Sequence, residues 1–220
     1  MLSPHAPSEE TAVDKYDVKK DRKALYAPSA KDFTVVDVPE LRYLAVDGAG
    51  DPNTAAAYTE AVEALYGTAY ALKFASKRNL ERDFVVGPLE GLWRAEDPAA
   101  FLQRRKDAWE WTMLIALPEW ITADTVADAV AATAKKRENP ALALLRVHVF
   151  TEGPSVQILH IGSYDDETPV LERLHREYMP DNGFAFNGDH HEVYLSDPRR
   201  TEPARLKTIL RQPVRSAKTV

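Results

Sequence analysis

Apolar side chains recur three or four residues apart between Ala55 and Ala75, at Tyr58, Val62, Leu65, Tyr66, Ala69, Tyr70 and Leu72. This period predicts a long helix with one buried face, and Asn53 or Thr54 ahead of it is the expected N-cap. Before it, Phe33 to Val38 and Leu41 to Val46 carry β-branched content and predict one long strand interrupted at Pro39-Glu40. After it, Asp83 to Trp93 is short strand material divided by Gly87-Pro88 and Gly91. Trp109 to Leu117 alternates, so that Trp109, Trp111, Met113 and Ile115 share one face and Glu110, Thr112, Leu114 and Ala116 the other.

The second half repeats this order. Thr122 to Lys136 predicts an Ala-rich helix, and Leu144 to Thr151 with Ser155 to Tyr164 predicts a hairpin about Glu152-Gly153-Pro154. A helix is expected over Thr168 to Met179, then a strand at His190 to Leu195, a helical turn near Pro203 to Leu206 and a last strand from Lys207 to Val214. The pattern is α+β, with two modules of strand-helix-strand-strand order that imply a duplicated unit. Expected boundaries are a tail and arm over 1–32, a first module over 33–118, a connecting helix and strand over 119–152 and a second module over 153–215. Met1 to Ala12 reads as a loose tail and Ser216 to Val220 as a frayed end. The arm from Asp14 is anchored by Tyr16, Val18, Leu25 and Tyr26. A concave seam between paired modules is a common place for a small-molecule pocket.

One strand departs from the usual apolar alternation. In His190-His191-Glu192-Val193-Tyr194-Leu195, the side chains of His190, Glu192 and Tyr194 share a face opposite His191, Val193 and Leu195. Val193 and Leu195 suit a helix-covered core. An unpaired ionised Glu is costly to bury, so the other face predicts a cavity wall, although alternation by itself also fits a carboxylate on a solvated sheet. Two further aromatic groups suit such a wall or an ordinary core: Trp109 with Trp111, and Tyr66 with Tyr70 at i and i+4 on the long helix.

Composition narrows the chemistry. With 28 Lys and Arg against 34 Asp and Glu, the formal charge is −6, which disfavours direct nucleic-acid binding. There is no cysteine, so disulfides, zinc-thiolate sites and thiol catalysis are excluded. No membrane span and no secretory leader are evident, and a cytoplasmic location is expected. A metal site at His190, His191 and Glu192 is not expected, because adjacent strand residues diverge and no ligand-spacing motif is present. His148 and His160 read as hydrogen-bonded strand residues, and Arg199 and Arg200 as ion-pair partners of Asp197. No cofactor is implied, and the sequence leaves the oligomeric state open.

Several short motifs occur in one order: Tyr26-Ala27-Pro28, Val46-Asp47-Gly48, Tyr66 to Phe74, Pro88-Leu89-Glu90-Gly91-Leu92-Trp93, Trp109-Glu110-Trp111-Thr112, Glu152-Gly153, His160 to Tyr164 and HHEVYLSDPRR from His190 to Arg200. In these the chain resembles the GyrI-like small-molecule-binding proteins, relatives of the effector domains of MerR-type multidrug regulators. The resemblance implies a pseudo-twofold pair of the strand-helix-strand-strand modules forming a curved antiparallel sheet around a ligand cleft, with an acidic residue at Glu192 and aromatic walls at Trp93, Trp111, Tyr66, Tyr70 and Tyr164. Tyr194 and His190, which share the Glu192 face, are further candidate ligand contacts. Family members commonly carry a second Trp after Gly-Leu-Trp; here that residue is Arg94. The segment before Phe33 is too short for a helix-turn-helix, so a stand-alone binder or enzyme is expected rather than a transcription factor. Two activities follow from the resemblance. One is binding of lipophilic, often cationic, aromatic molecules, for xenobiotic protection. The other is hydrolysis of the cyclopropane ring of DNA-alkylating natural products, with Glu192 as base and Tyr66 or Tyr70 as proton donor.

Overall fold

The computed structural model describes residues 15–95 and 105–217 of the 220. The expected tail at Met1 to Ala12, and the end of the chain from Lys218, lie outside them. In chain order the elements begin with β1 (Lys15–Tyr16), α1 (Val18–Asp21), α2 (Lys23–Tyr26), β2 (Thr34–Ala49), α3 (Ala56–Leu80) and β3 (Asp83–Phe84). Next come β4 (Leu89–Arg94), β5 (Glu110–Leu117), α4 (Ala123–Ala134) and β6 (Arg146–Ile161). The chain then forms α5 (Thr168–Arg173), a π-helical turn (Leu174–Tyr178), α6 (Met179–Asp181), β7 (Phe184–Phe186), β8 (His190–Tyr194) and β9 (Lys207–Ser216).

Six strands close into a ring in the order β6-β2-β5-β4-β8-β9, with β9 pairing back to β6 and β7 added along β9. Every pair in the ring is antiparallel. Exchanging β2 with β6, β4 with β8 and β5 with β9 leaves the ring order unchanged, which is the pseudo-twofold relation of two strand-helix-strand-strand modules.

Two expectations about the strands, and the N-cap of α3, are corrected here. The hairpin about Glu152-Gly153-Pro154 is absent: β6 runs unbroken from Arg146 to Ile161 and pairs along its length with an equally long β2. Gly153 takes a φ of 73°, so it kinks the strand without reversing it, a conformation open to Gly because it has no Cβ. Glycine-proline in a long strand with a full-length partner reads as a bend; only the partner distinguishes that from a turn. The N-cap of α3 is Ala55 with no side-chain cap, while Asp51 binds the Asn53 backbone and amide.

The second correction concerns the faces of β8. Val193 packs inside the ring with Leu92, Leu114, Ala116, Tyr43, Ala45 and Ile209. Tyr194 instead packs toward α3, with Trp93, Trp111, Met113, Leu65 and Leu72. The helix therefore covers the Glu192 face, and the Val193 face looks into the barrel. Closure of the sheet makes the difference, since a barrel has an interior that needs no helix to bury it.

That interior also holds charge. His191 is sandwiched between two carboxylates, its Nδ1 3.0 Å from Glu152 and its Nε2 3.0 Å from Glu90. Arg211 lies 3.4 Å from Glu152 and donates to Gln157. The arm closes the network: the Tyr26 hydroxyl donates to Glu90 at 2.7 Å, Arg211 to the Leu25 carbonyl at 2.7 Å and Gln157 to the Ala24 carbonyl at 2.8 Å. Two acids and two bases cancel, which is how ionised groups tolerate a dry interior.

Burial alone would hold His191 neutral, but the Glu152 charge and the hydrogen bonds that His191 donates to both carboxylates raise its pKa from 6.5 to about 9. Burial likewise disfavours the Glu152 carboxylate, and the His191 and Arg211 charges overcome it, so its pKa is lowered. A base with a raised folded pKa stabilises fully below its unfolded value and loses that contribution as pH climbs through the folded one. The urea midpoint should therefore fall between pH 7 and 10, with the His191 shift contributing about 3 kcal/mol. A midpoint unchanged over that range would show that His191 is not held as an imidazolium.

Candidate functional site

Strand alternation and a missing Cβ together build the site on the outer face of β4 and β8. Trp93 pairs with His190, Gly91 with Glu192 and Leu89 with Tyr194, so these six side chains or gaps share one face. A Cβ on Gly91 would come within 2.8 Å of Trp93 Nε1, so the glycine leaves the space over which that indole lies. From there Trp93 Nε1–H donates to the Tyr194 hydroxyl at 2.9 Å, and the Tyr194 hydroxyl hydrogen-bonds Glu192. A chain of donors thus ends on one carboxylate.

Glu192 is neither solvated nor sealed, with 15% of its side chain exposed and His190 Nε2 3.5 Å from Oε1. Aromatic rings surround it. Tyr58 of α3 stacks beside Trp93 at 6.3 Å, and Tyr164, on the short 3-10 turn after β6, meets Tyr194 edge-on at 5.8 Å. Each phenol carries the mark of its setting. Burial first, then the Glu192 charge, raises the Tyr194 and Tyr58 pKa values well above that of a free tyrosine, and the same two causes push Tyr164 up to about 12. These phenols stay protonated at neutral pH and can serve as hydrogen-bond donors.

The structure gathers Glu192, Tyr194, His190, Trp93 and Tyr164. Trp111 pairs in register with Trp93 and meets Tyr58 edge-on at 5.3 Å, but it is 1% exposed, its ring lying over Gly48, where a Cβ would come within 2.1 Å. Tyr66 sits at the rim, where the Leu89 backbone hydrogen-bonds its hydroxyl and Asp197 and Arg199 lie within electrostatic reach. Tyr70 is 49% exposed and lines a hollow of about 300 Å3 on the far side of α3, with Phe74, Thr133, Lys136 and Leu142. The physical reason is drift: each i+4 step rotates the side chain by about 40°, so three steps from Tyr58 turn Tyr70 away from the sheet.

Tyr58 is the site residue that sequence reasoning missed. It was legible as the first aromatic of the α3 stripe, two turns before Tyr66. Arg94, in place of a second Trp, binds Glu110 and Thr112 at 3.0 Å and Asp189 at 3.6 Å. Asp197 is paired with Arg199, and His160 Nε2 lies 3.0 Å from the Ser163 carbonyl. Among the described residues, no group of three or more His, Asp or Glu side chains gathers as metal ligands would, and no helix is long and apolar enough to cross a membrane.

Comparison with known proteins adds the following. The profile of the GyrI-like small molecule binding domain matches residues 31–215. No curated protein matches the chain. A solved structure of an uncharacterized conserved protein from Listeria innocua is 38% identical, with a TM-score of 0.84 over 91% of this chain and 100% of that one. A hydrolase from Listeria innocua is 36% identical, with a TM-score of 0.79 over 91% of this chain and all of its own. The EcmrR C-terminal domain, 12% identical with a TM-score of 0.53 over 84% of this chain and 98% of that one, shares the fold alone.

Proposed function

The chain belongs to the GyrI-like small-molecule-binding family, and on that premise we propose that it binds flat, lipophilic aromatic compounds at Glu192 and hydrolyses a strained ring in one of them. The observation that carries binding is a single carboxylate set among Tyr58, Trp93, Tyr164 and Tyr194. Aromatic faces impose few directional demands, so such walls accept many flat ligands, and a positive charge on the ligand is held by the carboxylate and by cation-π contacts of about 1 kcal/mol or more. Tyr164, 37% exposed on a four-residue turn, is the wall best placed to swing aside and admit a ring.

Hydrolysis is favoured over sequestration by two features. A relative at 36% identity is described as a hydrolase, and the site holds acid and base side by side. In the proposed step, Glu192 takes a proton from water as its oxygen bonds to the strained carbon of a cyclopropane. The ring C–C bond breaks, its electron pair passes into the conjugated carbonyl, and a neighbouring phenol protonates that oxygen. Tyr58, Tyr164 and Tyr194 border Glu192 more closely than the Tyr66 or Tyr70 expected from sequence, and they replace those residues as proton donors in this reading.

Incubation with a cyclopropane-bearing alkylating compound should give a product one water heavier by mass spectrometry. Stoichiometric protection of the compound with no such product would reject hydrolysis and leave a binding protein.

A further inference from the structure

Two partly buried imidazoles meet beside Glu192. His175 comes from the π-helical turn and His190 from β8, and their rings lie 6.4 Å apart at 87°. Neither nitrogen of His190, nor Nε2 of His175, has a hydrogen-bond partner, although all three are buried. Buried polar atoms are paired in all but a few cases, and the exceptions concentrate where chemistry or ordered water uses them. The π-helical turn points the same way, since such turns recur at functional sites. Its cause is local: Pro180 has no N–H to offer the carbonyl of Arg176, and the helix widens just before it.

The groups facing this pair can be named from each element. On β8 they are Glu192, with Oε1 3.5 Å from His190 Nε2, and Tyr194. From β4 come Trp93, which pairs with His190 in register, and Arg94, itself tied to Asp189. Phe186 of β7 closes on His175 at 5.0 Å. Burial, then the charge of His190, lowers the His175 pKa to about 4, so His175 stays neutral.

We propose that His190 is the proton partner of Glu192 and that His175 positions it. The inference rests on the hydrolytic reading for its kinetic consequence. The proton that water gives to Glu192 passes to His190 Nε2, which restores the carboxylate. The imidazolium then returns a proton to the tyrosinate left when the phenol protonated the product. For binding, an imidazolium beside Glu192 offsets the pull of the carboxylate on a cation.

The test uses the full-length protein, a cyclopropane compound for turnover and ethidium as a flat aromatic cation for affinity. In the native protein, ethidium affinity should rise severalfold from pH 5 to 8, because acid adds a proton to the His190–Glu192 pair and offsets its pull on the cation. In His190→Gln that dependence should flatten, and kcat should fall about 10-fold or more. His175→Phe preserves ring volume and should shift the pH profile while leaving the fold intact by circular dichroism. Ethidium affinity that is pH-dependent and flattened in His190→Gln, with no turnover in any variant, supports the pair while rejecting hydrolysis. PH dependence unchanged in His190→Gln overturns the pair, whatever the turnover.

Discussion

Glu192→Gln should lower kcat by about 10²- to 10⁴-fold and weaken binding of a flat aromatic cation by 10-fold or more, with the fold retained. The substitution removes the charge and the basic oxygen but keeps the shape and an acceptor for the Tyr194 hydroxyl. The side chain is partly exposed and takes no part in the barrel's buried charges, so stability should move by no more than about 1 kcal/mol. That separation makes the measurement informative. Turnover and equilibrium dye titration should change together while the thermal midpoint stays within a few degrees. Native turnover and native affinity in the Gln variant would remove Glu192 from any role in function.

The opposite signature is expected at the carboxylate that holds the neighbouring His191. Glu152→Ala should destabilise the protein by about 3–5 kcal/mol, because it leaves the His191 imidazolium and the Arg211 guanidinium in the barrel interior with the Glu90 carboxylate alone. The cost comes from leaving charges unpaired, which yields a specific contrast. Replacing Glu152 and Arg211 together by Leu and Met should cost less than Glu152→Ala alone, since an apolar pair leaves less charge uncompensated. Urea denaturation of the native protein, the two single variants and the double variant measures the coupling. Additive single costs would show that the carboxylate and guanidinium act independently, against the geometry seen here. Loosening of the arm should accompany the loss, because Arg211 and Gln157 hold the carbonyls of Leu25 and Ala24.

Adjacent residues of one strand thus have separate tasks. His191 belongs to a structural charge network inside the ring, and Glu192 to the surface beneath α3. Their alternation was legible in the run HHEVY, and so was the pairing of Glu192 with Tyr194 and His190. The choice of inside and outside was not. Leu and Val on one face suggest a core under a helix, but a sheet closed on itself buries that face by its own curvature. Glu90 and Glu152 appeared in the sequence as parts of the motifs PLEGLW and TEGP without a role. Nothing local tells an acid in a strand that its partner is an imidazole 101 or 39 residues away.

The amino-acid order by itself determined the strand-helix-strand-strand repeat, the long α3 stripe and the face on which Glu192 stands, because side-chain direction follows from period alone. The tertiary structure decided that the two halves close into a ring and that β6 continues through Gly153. It also put Tyr58 beside Trp93 where Tyr66 or Tyr70 was expected, and buried Trp111 next to Trp93. Each of these depends on register between segments far apart in the chain, and register is set by what packs across the gap, a quantity that no local window contains.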